Sequence, residues 1–173
     1  MFTNDPLKAA MISAMLPLTT ACEIVPRILF DAERGPLAGH VLLDLLEENG
    51  AGPQEAQVIA GIGDSAGLLA MHVQAAAASR GLGYHVALAR ETSAEVIGAE
   101  RLEGADVVVA DTGASDAHQI GELVQRLRGA GANVLAVAVL GWPGYVRPAD
   151  ADATGELPLY VAIEKETCVK EPA

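Results

Sequence analysis

Val107-Val-Val-Ala-Asp-Thr-Gly-Ala-Ser-Asp-Ala-His118, with Leu123-Val-Gln-Arg-Leu-Arg-Gly-Ala-Gly-Ala-Asn-Val134 close behind it, decides how the chain folds. Asp106 to Ala110 is a short apolar run and reads as a buried strand. Thr112 to Asp116 is a turn of small and polar residues, and a helix follows from about Ala117 to Arg128. Gly129 to Gly131 closes that helix, and Asn133 to Leu140 is the next strand. A strand, a turn, a helix and a second strand of this length make one crossover unit of a parallel sheet.

The same alternation extends in both directions. Upstream, Lys8 to Met15 has helical apolar spacing and Ile24 to Phe30 reads as a strand. Gly35-Pro36 opens a helix from Leu37 to Glu48, with Leu42, Leu45 and Leu46 on one face and Asn49-Gly50 at its end. Gln57-Val-Ile-Ala-Gly61 is a buried strand that runs into a glycine-rich turn, Gly61 to Gly67. An Ala-rich helix follows from Leu68 to Arg80, and then a strand from Tyr84 to Ala89. Arg90 to Gly104 is polar without a period and reads as a loop or ragged hairpin. Downstream, Pro143 to Pro158 is a turn-rich connection, and Leu159 to Ile163 a last short strand. The expectation is a three-layer α/β fold, with a mainly parallel twisted sheet flanked by helices. It is one domain spanning residues 1–173, with its core at about 17–163. Ligands in such sheets bind beyond the carboxyl ends of the strands. That directs attention to Gly61–Gly67, Arg90–Gly104 and Asp111–His118.

Composition narrows the rest. Hydrophobic residues make up 51% of the 173 and aromatics only 3%, so the core is aliphatic. No apolar run approaches the length of about 20 residues that a membrane span needs. Net charge is -12, from 23 acids against 11 Lys and Arg. Such a surface repels nucleic acid and anionic membrane. Leu18-Thr-Thr-Ala-Cys22 has the outline of a lipoprotein cleavage site. Asp5 beside a single Lys8, and the interruption at Pro17, are unlike a secretory signal. Cys22 and Cys168 have no metal or redox spacing, and read as reduced thiols in a cytoplasmic protein. His40, His72, His85 and His118 are scattered rather than set as metal ligands. Ser115, His118 and Asp111 lack the strand–nucleophile–helix elbow of a hydrolase.

The order of loops, together with Val107–Asp111 and Arg128-Gly-Ala-Gly-Ala-Asn-Val134, resembles the type I phosphoribosyltransferases, and the orotate branch best. The resemblance runs from about Pro17 to Tyr160. It implies a site for phosphoribosyl diphosphate, with Mg²⁺ entering only alongside that donor. It also implies a homodimer and a small-molecule ligand of nucleotide type. Carried onto this chain, the site comprises Asp111, Thr112, Gly113, Ser115, Asp116 and His118 at the ribose-phosphate turn. Gly61, Gly63, Asp64 and Ser65 fall at the pyrophosphate loop, and Arg90 at the mobile loop. No residue is assigned as catalytic, and Asp111 is at most a metal contact.

Several positions depart from the family pattern. Of the two adjacent family acids only Asp111 remains, since Ala110 stands at the other position. Asp116 stands where the family has a glycine that lets backbone amides approach phosphate; alternatively it is a helix N-cap for Ala117 onward. The family pattern Arg-Lys-x-x-Lys-x-His-Gly falls on Arg90, Glu91, Ala94, Val96 and Ile97, so both lysines and the histidine are gone. Glu91, Glu95 and Asp64 bring the opposite charge. Leu29-Phe-Asp-Ala-Glu-Arg34 resembles the family strand that ends in an acid and a base; alternatively it is a strand end with a solvated ion pair. Two functions follow. One is a catalytically impaired or silent homologue in a ligand-binding, regulatory or partner-subunit role. The other is an active enzyme transferring ribose 5-phosphate to orotate or a related base, or a ribosyl group from a less phosphorylated donor.

Overall fold

The computed structural model describes residues 24–113, 115, 117–141 and 157–163, with isolated helical positions at 6 and 10. In chain order the elements are α1 (Ile24–Leu29), α2 (Arg34–Glu48), β1 (Val58–Ile62), α3 (Gly63–Ser79), β2 (His85–Ala89) and β3 (Val96–Ile97). A 3-10 turn (Ala99–Arg101), β4 (Asp106–Asp111), α4 (Ala117–Gly129), β5 (Asn133–Gly141) and β6 (Leu159–Ile163) follow. Apart from position 10, the expected helix at Lys8–Met15 lies outside the described residues, as do both cysteines, most of the connection at 143–158, Ala114 and Asp116.

The strands form one six-stranded sheet in the order β3-β2-β1-β4-β5-β6. All neighbours are parallel except β3, which runs antiparallel to β2 at the edge. The polar stretch after Ala89 is therefore a ragged hairpin that ends in the 3-10 turn. β1 is buried along its whole length, as a central strand covered on both faces must be. Alternate residues serve opposite layers. Ile59, Val108 and Ala110 face α1, α2 and α3 in one apolar cluster. Val58, Ala60, Val107 and Val109 face α4 and Leu102 in the other. Between β4 and β5 the register slips after Val107, so that Leu135 is an extra residue and the alternation along β5 restarts at Ala136. Tyr84 is the one aromatic among the fully buried described residues. Its hydroxyl donates to the Ala51 carbonyl, which satisfies the one polar atom of its side chain.

α3 is held very close to its surroundings. A Cβ on Gly61 would stand 2.8 Å from the Ala66 carbonyl carbon, and one on Gly67 would stand 2.7 Å from Leu88 Cδ1. On the opposite side α2 presents Gly35 and Gly39, one turn apart, to His72 of α3. A Cβ at Gly39 would stand 2.5 Å from the His72 carbonyl carbon. The His72 ring fits beneath Gly35, and its Nε2 lies 2.8 Å from the Leu29 carbonyl oxygen, tying α3 to the end of α1.

Two expectations are corrected. Ile24 to Phe30 is not a strand: Ile24–Leu29 is helical. The apolar run suits either state. Pro26 falls in the first turn, where its missing N–H breaks no helical bond, and Ile28 and Leu29 are buried against the helical layer. Asp31 is consequently not at a strand end. Its Oδ1 accepts the N–H groups of Glu33 and Arg34 at 3.0 and 2.9 Å, starting α2. Those bonds hold its carboxyl below the usual carboxylate range. The glycine-rich turn from Gly61 to Gly67 is also absent. β1 passes into α3 through Gly63 alone, whose φ of 73° is left-handed, and Gly61 and Gly67 serve packing instead.

The α2–α3 approach yields a paired test. Alanine at a helix-interior glycine ordinarily stabilises by up to about 1 kcal/mol. At Gly39 the backbone opposite cannot give way, so Gly39→Ala is expected to destabilise by about 2 kcal/mol. Gly129→Ala, with nothing within 4 Å of the new carbon, is expected to be neutral or stabilising by a few tenths, up to about 1 kcal/mol. Urea unfolding midpoints measure both, and equal effects would contradict the close approach.

Candidate ligand-binding site

The carboxyl ends of β1, β2 and β4 converge on a cavity of about 450 Å³. Its walls come from the three segments that the sequence singles out. Ile62 to Ala66 comes from the β1–α3 junction, Leu88 to Thr92 from the end of β2, and Asp111, Thr112 and Ser115 from the turn after β4. Ile97 of β3 and Gln119 of α4 complete the lining. A volume in the range of about 300–1,000 Å³ accommodates a ligand of nucleoside size.

Asp111 ends β4 and is 1% exposed. Its carboxylate is engaged by its own turn. Ser115 Oγ donates to Oδ1 and the Gly113 N–H to Oδ2, each at 2.6 Å. Burial raises the Asp111 carboxyl above its ordinary value, while the Ser115 hydroxyl and the N–H groups of Gly113, Ser115 and Thr112 pull it back. Donors that a bound anion would need therefore already face a carboxylate of the chain.

The opposite rim is acidic as well. Asp64 is exposed in the first turn of α3. Glu91 lays its side chain across Gly63, the first residue of α3, where any Cβ would collide with Glu91 Oε1 and stand 3.1 Å from its Cδ. Arg90 is the only cation among the described residues lining the cavity, and its Nε lies 3.5 Å from Glu95 Oε2. The loop bearing Arg90 and Glu91 is fastened from outside. Arg126 Nη1 of α4 donates to the carbonyl oxygens of Arg90 and Ser93 at 2.8 and 2.9 Å.

Of the residues expected at the site, Gly63, Asp64, Ser65, Arg90, Asp111, Thr112 and Ser115 line the cavity together. Gly61 lies beneath it, buried in β1 against Ala66. Gly113 contributes through its N–H to Asp111 rather than as a wall. His118 is exposed in the first turn of α4 and is not part of the lining. Gln119, one position further on, lines the cavity instead, and sequence reasoning missed it. Helical spacing from the buried Ile120 and Leu123 indicates the orientation of α4, but not which side of its first turn meets the cavity. Among the described residues no group of three or more His, Cys, Asp or Glu is placed to hold a metal ion.

The state of Asp111 has a pH signature. Its folded pKa lies above the ordinary value of 3.8, so the folded state holds that proton more firmly than the unfolded chain. The favourable contribution is complete below the unfolded pKa and is lost as pH rises through the raised folded one. Asp111→Asn removes this titration, so its Tm relative to the parent is expected to climb as pH rises from the ordinary value of 3.8 through the raised folded one. A parallel pair of Tm curves would rule out burial as the dominant influence on Asp111.

No family model matches the chain, and no curated protein matches it. Solved structures do. A phosphoribosyltransferase from Corynebacterium diphtheriae superposes with a TM-score of 0.76 at 21% identity, over 95% of this chain and 99% of that one. Mycobacterium tuberculosis H37Rv orotate phosphoribosyltransferase, in complex with 5-phospho-alpha-D-ribosyl 1-diphosphate, superposes at 0.78 with 16% identity, over 96% and 94%. Adenine phosphoribosyltransferase from Thermoanaerobacter pseudethanolicus gives 0.60 at 17% identity, over 79% and 84%. These superpositions, over a six-stranded and mainly parallel sheet flanked by helices, show that this chain has the type I phosphoribosyltransferase fold.

Proposed function

We propose that this chain is an orotate phosphoribosyltransferase-like protein, catalytically impaired or silent, serving as a ligand-binding, regulatory or partner subunit. The observation that carries the reading is the charge of the cavity. Asp64, Glu91 and Asp111 line it, opposed by Arg90, which already neighbours Glu95. A transferase of this type must stabilise a departing diphosphate. Each positioned donor or cation contributes about 3–4 kcal/mol to such a transition state. A carboxylate about 4 Å from a phosphate charge instead costs about 4 kcal/mol at an effective dielectric of 20. Glu91 and Asp64 therefore oppose the donor where the chemistry calls for cations. The inward-turned donors of Gly113 and Ser115 support the same reading.

Two readouts test it. In titration calorimetry with Mg²⁺, phosphoribosyl diphosphate is expected to bind no more tightly than about 1 mM. With orotate added, no orotidine monophosphate should form above the uncatalysed background. Product above background would overturn the reading and favour the active enzyme. The homodimer implied by the resemblance and a cytoplasmic location belong to the same proposal. Sedimentation equilibrium of the full chain reads the former directly, with a monomer mass as the contrary result. Among the described residues no helix is long and apolar enough to cross a membrane.

A further inference from the structure

Glu91 reaches the cavity from a loop that is unusually well fastened for a polar, exposed segment. The Arg90 N–H donates to the Glu95 carbonyl at 3.3 Å, and the Glu95 N–H to Ser93 Oγ at 3.3 Å, so residues 90–95 close on themselves as a turn. Arg126 then grips that turn on both sides of Glu91-Thr92 through the carbonyls of Arg90 and Ser93. Its Nη2 lies 3.7 Å from Glu122 Oε2, one helical turn back on α4, which orients the guanidinium toward the loop. A guanidinium is suited to this because its fork donates several bonds from one rigid plane. With the turn fixed, the Glu91 side chain lies over Gly63, which has no Cβ to displace it. Among the described residues no hydrogen bond or ion pair engages the Glu91 carboxylate, so a ligand entering there meets its charge. The N-terminus of a helix otherwise attracts anions, and Glu91 stands at the first residue of α3.

We propose that Glu91 is the specificity-determining residue of the cavity, excluding anionic ligands from the α3 end, and that Arg126 is the positioning residue that holds it there. The ligand class that remains is an uncharged or cationic hydroxyl-bearing molecule of nucleoside size, with hydroxyls meeting Ser65, Thr92 and Ser115 and the apolar part meeting Leu88 and Ile97. This rests on the reading of the cavity as one that no longer accepts a diphosphate, and it names the element responsible.

The test uses the full chain, with inorganic pyrophosphate as the probe. Calorimetry compares the parent with Glu91→Gln, Arg126→Ala, Arg126→Lys and the double variant Glu91→Gln/Arg126→Ala, while hydrogen exchange follows the amides of residues 90–97. Glu91→Gln is expected to raise pyrophosphate affinity at least tenfold without altering exchange. Arg126→Ala is expected to raise it as well, with loop amides exchanging about tenfold faster. Loss of a cation would ordinarily weaken anion binding, so that gain is not the product of a general structural or electrostatic role. Arg126→Lys, which keeps the charge but not the fork, should fall between parent and Arg126→Ala and serves equally if the alanine variant does not fold. The double variant should match Glu91→Gln in affinity, because Arg126 acts through Glu91. Parent affinity in Glu91→Gln, or parent exchange rates in both Arg126 variants, would overturn the proposal. Orotidine monophosphate formation by the parent would instead overturn the silent reading and leave these readouts to be judged separately.

Discussion

The structure depends on how closely α3 can approach what surrounds it. Glycines meet it on the α2 side and in β1, and its own Gly67 admits Leu88 from β2. A methyl group at most of these positions would push the helix away from the sheet or from its neighbour. Interiors of this density do not absorb such shifts. Because α3 begins at Gly63, its seating also sets the rim of the cavity. His72 carries the same constraint to α1, whose Leu29 carbonyl it meets beside the apolar face of Ile28 and Leu29. Packing that looks remote from the site thus fixes where Asp64 and Ser65 stand.

The site inherits its place from the sheet and its character from individual side chains. Parallel strands ending together leave a crevice at their carboxyl ends in many proteins, with no commitment to a particular chemistry. Here the polar residues lining that crevice are mostly acids and hydroxyls, and the Ser115 hydroxyl and Gly113 N–H are turned toward Asp111. The same fold thus carries, among its described lining residues, three acids and one arginine in that crevice.

Much of this was legible in the residues. The strands at Val58, Asp106, Asn133 and Leu159 are apolar runs bounded by turn residues, and their lengths leave little room for another reading. The three cavity segments follow from strand order alone. Ile24–Leu29 was misread because six apolar-rich residues have no decisive period, and the choice was made by packing against a helical layer that local sequence does not display. The Gly61–Gly67 stretch was misread because glycine signals both turns and close approaches, and only two packed elements tell them apart. The link from Arg126 to the loop at Arg90 and Ser93 was invisible for a different reason. It joins a side chain to backbone carbonyls far off in sequence, and carbonyls carry no residue identity to read.

β1 lies at the middle of the sheet, yet Val58 finds its partners in His85 on one side and Val107 on the other. During synthesis the first half of the chain can pair β1 with β2, but the other edge of β1 stays open until β4 has emerged. Non-local parallel pairing of this sort is slow, and an apolar strand with one bare edge is open to association with other chains. The antiparallel return of β3 covers only the far side of β2, so the nascent half-sheet relies on its helices, and on whatever holds it in the cell, until Asp106–Asp111 arrives.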